Sequence, residues 1–251
     1  MPHDSSLGDA DRECRCTGPE LIVVLPVFNE EASLRHVFNP WFDVIERHVD
    51  DFVFLVVDDG SSDRTPEILA ELAVARHPRV DVVSQVNAGH GRACVRGYEA
   101  ACARRTGFVL QIDSDGQCDP ADFPPFWAAR HQFDVIMGVR RWRRDGWRRV
   151  FASTILRLLI LVKSRVWCKD ANVPFRLMRA SILHQHLKQI PRDFCLANVA
   201  LSVVLKRDIS VHHGFRMINF FERFGGEPSV PFNRFAEKAF QLYRQLGQLS
   251  D

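Results

Sequence analysis

The chain has 251 residues, with 33 Lys and Arg against 31 Asp and Glu and a net charge of +2. That is room for one full domain but not for a second enzyme domain, and so even a balance gives no global pull toward nucleic acid. No apolar run reaches the roughly 18 residues of a spanning helix. The polar start Met1-Pro2-His3-Asp4-Ser5-Ser6 has no apolar stretch of the secretory kind.

In chain order, residues 1–18 read as a disordered tail, in which Cys14 and Cys16 form an incidental C-x-C. Leu21-Ile22-Val23-Val24-Leu25 is a strand of the buried type that ends at Pro26 and runs into Asn29-Glu30-Glu31, an acidic helix start. Phe52-Val53-Phe54-Leu55-Val56-Val57 is a second such strand. It ends on Asp58-Asp59, ahead of the turn and helix cap Gly60-Ser61-Ser62-Asp63-Arg64-Thr65-Pro66. Val80 to Ser84 is a third strand, leading through Asn87-Ala88-Gly89-His90-Gly91-Arg92 into an Ala-rich helix that reaches about Arg104.

Three strand–helix units then precede a fourth apolar run, Phe108-Val109-Leu110-Gln111-Ile112. The alternation predicts an α/β fold, a mostly parallel sheet flanked by helices, with ligands beyond the carboxyl ends of its strands. A dinucleotide-binding domain would need G-x-G-x-x-G after the first strand. Pro26-Val27-Phe28-Asn29-Glu30 stands there instead, which argues against it.

Asp113-Ser114-Asp115-Gly116-Gln117 follows the fourth run directly. In an extended segment Asp113, Asp115 and Gln117 share one face, an all-oxygen set suited to Mg²⁺ or Mn²⁺ that would neutralise a diphosphate. A lone D-x-D is common in solvated turns, so its neighbours decide its meaning. From Arg140 to Arg149 there are six Arg in ten residues, and Arg forks onto phosphate while staying charged. Interleaved Trp in that segment suggests RNA, but no RNA-binding motif accompanies it, so no nucleic-acid partner is expected.

In this order the motifs resemble those of the family 2 glycosyltransferases of the GT-A (nucleotide-diphospho-sugar transferase) fold. The similarity is strongest to the dolichyl-phosphate mannose synthase and polyprenyl-phosphate glycosyltransferase branch. Pro26 with Asn29 and Glu30, Asp58-Asp59-Gly60-Ser61, Asn87-Ala88-Gly89, Asp113 to Gln117, Asp170 with Phe175-Arg176, and Arg223 with Gly226 and Ser229 carry the resemblance from about Leu21 to Ser229.

The resemblance implies transfer from a nucleotide diphosphate sugar, with a GT-A domain over 19–231 and an amphipathic helix over 232–251. Pro26, Asn29, Glu30, Asp58, Asp59, Asn87, Gly89 and Asp113 would line the nucleotide. Asp113, Asp115 and Gln117 would hold the metal. Asp115, Arg140 and Arg223 would serve catalysis, and Arg149, Ser153, Arg176, Arg223 and Ser229 the acceptor phosphate. In isolation each has a plainer reading, as a helix cap, a turn residue or a solvated charge.

Many inverting relatives carry a Glu-Asp pair on a late helix, where this chain has Arg192-Asp193-Phe194-Cys195. A phosphate acceptor is already an anion and needs no general base, so the missing pair agrees with a lipid phosphate acceptor. Asp193 remains a candidate base. Val173-Pro174 replaces a common Ser-Gly, and Val230 a common Lys, which leaves open a saccharide or small-molecule acceptor, or nucleotide-sugar binding without turnover. Seven cysteines, an odd number, fit a cytoplasmic protein. Phe151 to Val162 reads as a core helix or an interfacial one, and with 232–251 it offers contact to the cytoplasmic membrane face or a membrane partner subunit.

Overall fold

Leu21–Val27 forms β1, buried at every position because it lies inside the sheet. The computed structural model describes residues 17–140, 147–168, 170–191, 194, 196–223 and 235–249, with 147–153 and 235–238 as backbone only. Its seven strands are β1, β2 (Phe52–Asp58), β3 (Val80–Ser84), β4 (Phe108–Gln111), β5 (Val135–Arg140), β6 (Arg176–Arg179) and β7 (His213–Ile218). They lie in the order β3-β2-β1-β4-β6-β5-β7. All neighbouring pairs are parallel except those of β6, which runs antiparallel to β4 and β5.

The helices are α1 (Leu34–Glu46), α2 (Thr65–Ala75), α3 (His90–Ala103), α4 (Phe123–Ala128), α5 (Trp147–Ser164), α6 (Ala180–Leu187), α7 (Ala197–Arg207) and α8 (Phe235–Gln248). In α1 the buried Leu34, Val37, Phe38, Trp41, Phe42 and Ile45 recur at helical spacing and form one inward stripe. Trp41 meets Phe175 edge-on at 5.3 Å, and Phe175 stacks on Phe126 at 4.3 Å. Gly97 lets α3 lie close on β1, since a Cβ there would fall 2.3 Å from Val24 Cγ1.

Pro26 opens the crevice. Val24 O accepts from Ile112 N–H on the β4 side, while Val27 O accepts from Asp59 N–H on the β2 side. By strand alternation the position of Pro26 faces β4, and proline has no N–H to offer there. The β1–β4 pairing stops at Val24 with Gln111. Beyond that point the chain after β4 diverges from β1, where the strand order reverses and ligands of such sheets bind.

Two expectations need correction. Asp113 to Gly116 do not extend β4 but form a turn, with Gly116 at φ +72°, so alternation along a strand is not what sets their side chains. Glu30 and Glu31 do not start α1, which begins at Leu34. Asn29 takes φ +52°, and the N–H groups of Glu30 and Glu31 donate to Thr65 Oγ1 and Asp63 Oδ2, which holds them in a loop.

Candidate active site at the β1–β4 crevice

Two loops are stitched together at the ends of β1 and β2. Asn29 N–H donates to Ser61 Oγ at 3.0 Å, and Asn29 Oδ1 accepts from Ser62 N–H at 2.8 Å. Asp58 Oδ1 accepts from Ser61 N–H. Asp59 is more fully engaged. Its Oδ1 accepts from Gln85 Nε2 and Ala88 N–H, and its Oδ2 from Gly89 N–H, all within 2.9 Å. The near-complete burial of Asp59 therefore serves the loop that carries exposed Asn87 and Gly89.

Asp113 and Asp115 face a desolvated turn. Burial chiefly raises the pKa of Asp113, against the pull of His90, Arg176, Arg140 and Arg223. Burial and the nearby Asp113 push Asp115 up to about 6. Two carboxylates crowded in this way are an unfavourable pair until a cation joins them, and their hard oxygens fit Mg²⁺ or Mn²⁺. Among the described residues no group of three or more His, Cys, Asp or Glu is placed as a metal cage.

Gln117 donates from Nε2 to Phe221 O at 3.0 Å and from its backbone N–H to Asp115 Oδ1 at 3.1 Å. Phe221 N–H returns a bond to Gln117 O, and Asn219 N–H donates to Asp122 Oδ2. The stretch after β7 is thus zipped to the stretch after the carboxylate turn. This delivers Arg223, whose Nη2 reaches Glu30 Oε1 at 2.9 Å. Arg140, at the end of β5, is set by Asp170 Oδ2 at 3.1 Å from its Nε and by the ring of Phe220 at 4.3 Å.

A model of glycosyl transferase family 2 matches residues 22–187. The chain belongs to that family. It is 29% identical over 163 residues to the undecaprenyl-phosphate 4-deoxy-4-formamido-L-arabinose transferase of Aeromonas hydrophila, covering 64% of this chain and 49% of that protein. To the Edwardsiella ictaluri enzyme of the same name it is 30% identical over 197 residues, 77% of this chain and 60% of that one. The chain thus spans about half to three fifths of these curated relatives.

Among solved structures, glucosyl-3-phosphoglycerate synthase from Mycobacterium tuberculosis with Mn²⁺, UDP-glucose and phosphoglyceric acid superposes with a TM-score of 0.62 at 21% identity, covering 92% of this chain and 80% of that one. The same synthase with Mg²⁺ and UDP gives 0.59 at 22%, covering 92% and 79%. The fold shared with these structures is GT-A.

Within this glycosyltransferase family 2 chain, the phosphate role expected of Arg176 is not what the structure gives. Arg176 has no exposure. Nε donates to Val173 O, Nη2 to Ala171 O, and Nη1 to Asn198 O and Ser202 Oγ. Its guanidinium is spent on the 171–173 loop and α7. Ser229 and Asp193 lie outside the described residues, as do 141–146, and of Arg149 and Ser153 only the backbone at the start of α5 is described.

Three polar residues beside the turn escaped the sequence reading. His90, in the first turn of α3, sits 3.5 Å from Asp113 Oδ1, and Cys94, Asp113 and Asp115 raise its pKa to about 10. A basic residue at a helix N-terminus opposes the helix dipole, which was the available signal. Gln111 and Tyr98 are the other two. One amide inside the apolar run 108–112 marked Gln111, whereas nothing in the sequence set Tyr98 apart.

Proposed function

We propose that the chain is a metal-dependent, inverting glycosyltransferase that moves a sugar from a nucleotide diphosphate sugar to a polyprenyl phosphate, working at the cytoplasmic membrane face. The observation that carries this reading is the placement of Asp113 and Asp115 together on one turn of a crevice flanked by Arg140 and Arg223, where burial raises the proton affinity of both and Asp113 raises that of Asp115 further. A site so built is poised for a dication and a diphosphate together.

Asp113, Asp115 and Gln117 would hold Mg²⁺ or Mn²⁺, which supplies Lewis-acid neutralisation of the departing diphosphate. Arg140, fixed by Asp170 and Phe220, adds a non-titrating positive charge on the leaving-group side. The stitched loops of Pro26, Asn29, Glu30 and Asp58, with Asn87 and Gly89, form the wall for the nucleoside. Arg223 is held at the crevice by Glu30 and orients an acceptor phosphate, whose oxygen attacks the anomeric carbon without a base. Both similar proteins are named as undecaprenyl-phosphate transferases, which supports the lipid acceptor.

Exposed apolar side chains support the membrane location. On α5 and just beyond it, Leu158, Leu161, Val162 and Trp167 are exposed, and on the neighbouring α8 so are Phe240 and Tyr243. Lys163 lies 4.1 Å above the Tyr243 ring, so basic and apolar groups mix as an interfacial surface requires. No helix among the described residues is long and apolar enough to cross a membrane. A thermal-shift panel of nucleotide sugars with and without Mn²⁺ tests the donor half of the reading. The expected result is stabilisation by at least one nucleotide sugar that needs the metal, and stabilisation by none would overturn it.

A further inference from the structure

Behind the carboxylate turn runs a buried polar chain that no surface function requires. Gln111, fully buried on β4, donates from Nε2 to Asp113 Oδ1 at 2.7 Å. Tyr98 Oη, fully buried on α3, lies 3.4 Å from Gln111 Oε1 and 3.0 Å from Asn198 Oδ1 on α7. Asn198 O in turn accepts from Arg176, which also holds Ala171 O and Val173 O. The Tyr98 hydroxyl has one hydrogen, so it serves one of its two acceptors at a time.

An amide, a phenol and a second amide in a core cost free energy unless they satisfy one another, and apolar residues of similar volume would avoid that cost. In this chain the bonds lead at one end to the carboxylate of Asp113. At its other end the chain reaches the loop 171–173, which follows Asp170, the partner of Arg140. Donor-side and leaving-group-side residues are therefore braced by one buried framework spanning β4, α3 and α7.

We infer that Gln111 and Tyr98 are positioning residues, which fix the rotamer of Asp113 so that its free lone pairs point to a divalent cation. The inference rests on the metal reading of the preceding subsection and adds to it the groups that aim the ligand. Partners hydrogen-bonded to metal ligands commonly change metal affinity by about 10–100-fold when removed.

The test is Mn²⁺ affinity, measured by electron paramagnetic resonance on the full chain with the metal alone. Gln111→Met and Tyr98→Phe keep volume while removing the amide donor and the hydroxyl, and each should raise the Mn²⁺ dissociation constant about 10-fold. Thr106→Val is the control for general weakening, because Thr106 is also buried and its hydroxyl bonds to Pro19 O and Phe108 O, away from the carboxylate turn. It should leave the constant within about twofold of wild type, well below the effect of losing a ligand's partner. Should Tyr98→Phe fail to fold, Gln111→Met decides alone. Wild-type affinity in Gln111→Met overturns the inference and leaves the metal reading standing; absence of Mn²⁺ binding in the wild type, both alone and with inorganic diphosphate added, overturns both.

Discussion

Arg223 Nη2 stands 2.9 Å from Glu30 Oε1 although 193 positions of sequence separate the two. The pair closes one wall of the crevice, and Ser33 Oγ holds the other oxygen of Glu30. With both side chains mostly shielded, the ion pair is stronger than a surface contact and fixes where the guanidinium points.

Breaking this pair from either end should therefore impair transfer through the same loss. Glu30→Gln and Arg223→Ala should each lower kcat/KM about 10-fold or more, and the double variant should fall well short of the product, with a coupling of about 1–2 kcal/mol. Independent, additive losses in that cycle would mean that Glu30 does not orient Arg223.

Asp115→Asn should keep the fold and remove most turnover, because a neutral amide cannot balance a dication beside a diphosphate. The expected loss is at least about 100-fold, in line with removal of a main electrostatic stabiliser. The check is turnover under limiting Mn²⁺ together with a metal-free melting temperature that rises or holds, since the variant removes one of two crowded carboxylates. Near wild-type rates would remove Asp115 from the site.

Arg176→Met should act on stability. It strips the guanidinium from Ala171 O, Val173 O and Asn198 O at once, leaving Ser202 Oγ to serve Ala171 O and Asn198 O and no side chain among the described residues for Val173 O, a loss of about 1–3 kcal/mol. Urea unfolding reads this directly. A stable variant that loses only affinity for the acceptor would restore the phosphate role.

The exposed face of α5 should bind anionic vesicles in a salt-sensitive manner, since each basic residue near such lipid contributes on the order of 1 kcal/mol. Replacing Leu158 and Val162 with Ser should weaken co-sedimentation. Sedimentation indifferent to both salt and these changes would assign the face to something other than lipid.

The first four strands, the mostly parallel sheet and the carboxylates that follow β4 were legible in the sequence because each rests on a local signal, whereas β5, β6 and β7 were not read there. Apolar runs, Pro26 and the Asp113–Gln117 spacing are such signals. The roles of Asp59 and Arg176 were not legible, since an acid or a base in a motif looks the same whether it faces a ligand or clamps a loop. Only the bonds from Asp59 to Ala88 and Gly89, and from Arg176 to α7, tell the two apart. Extended alternation failed at Asp113 because Gly116, at φ +72°, turns the chain. Tyr98 joined the site only through packing of α3 on β4.

The most direct measurement is transfer of labelled sugar from nucleotide donors to polyprenyl phosphate in the presence of Mn²⁺, followed by butanol extraction. The account predicts label in the extracted lipid, reduced strongly by Arg223→Ala and unaffected by Asp193→Asn. Label confined to water-soluble saccharide and abolished by Asp193→Asn would contradict it.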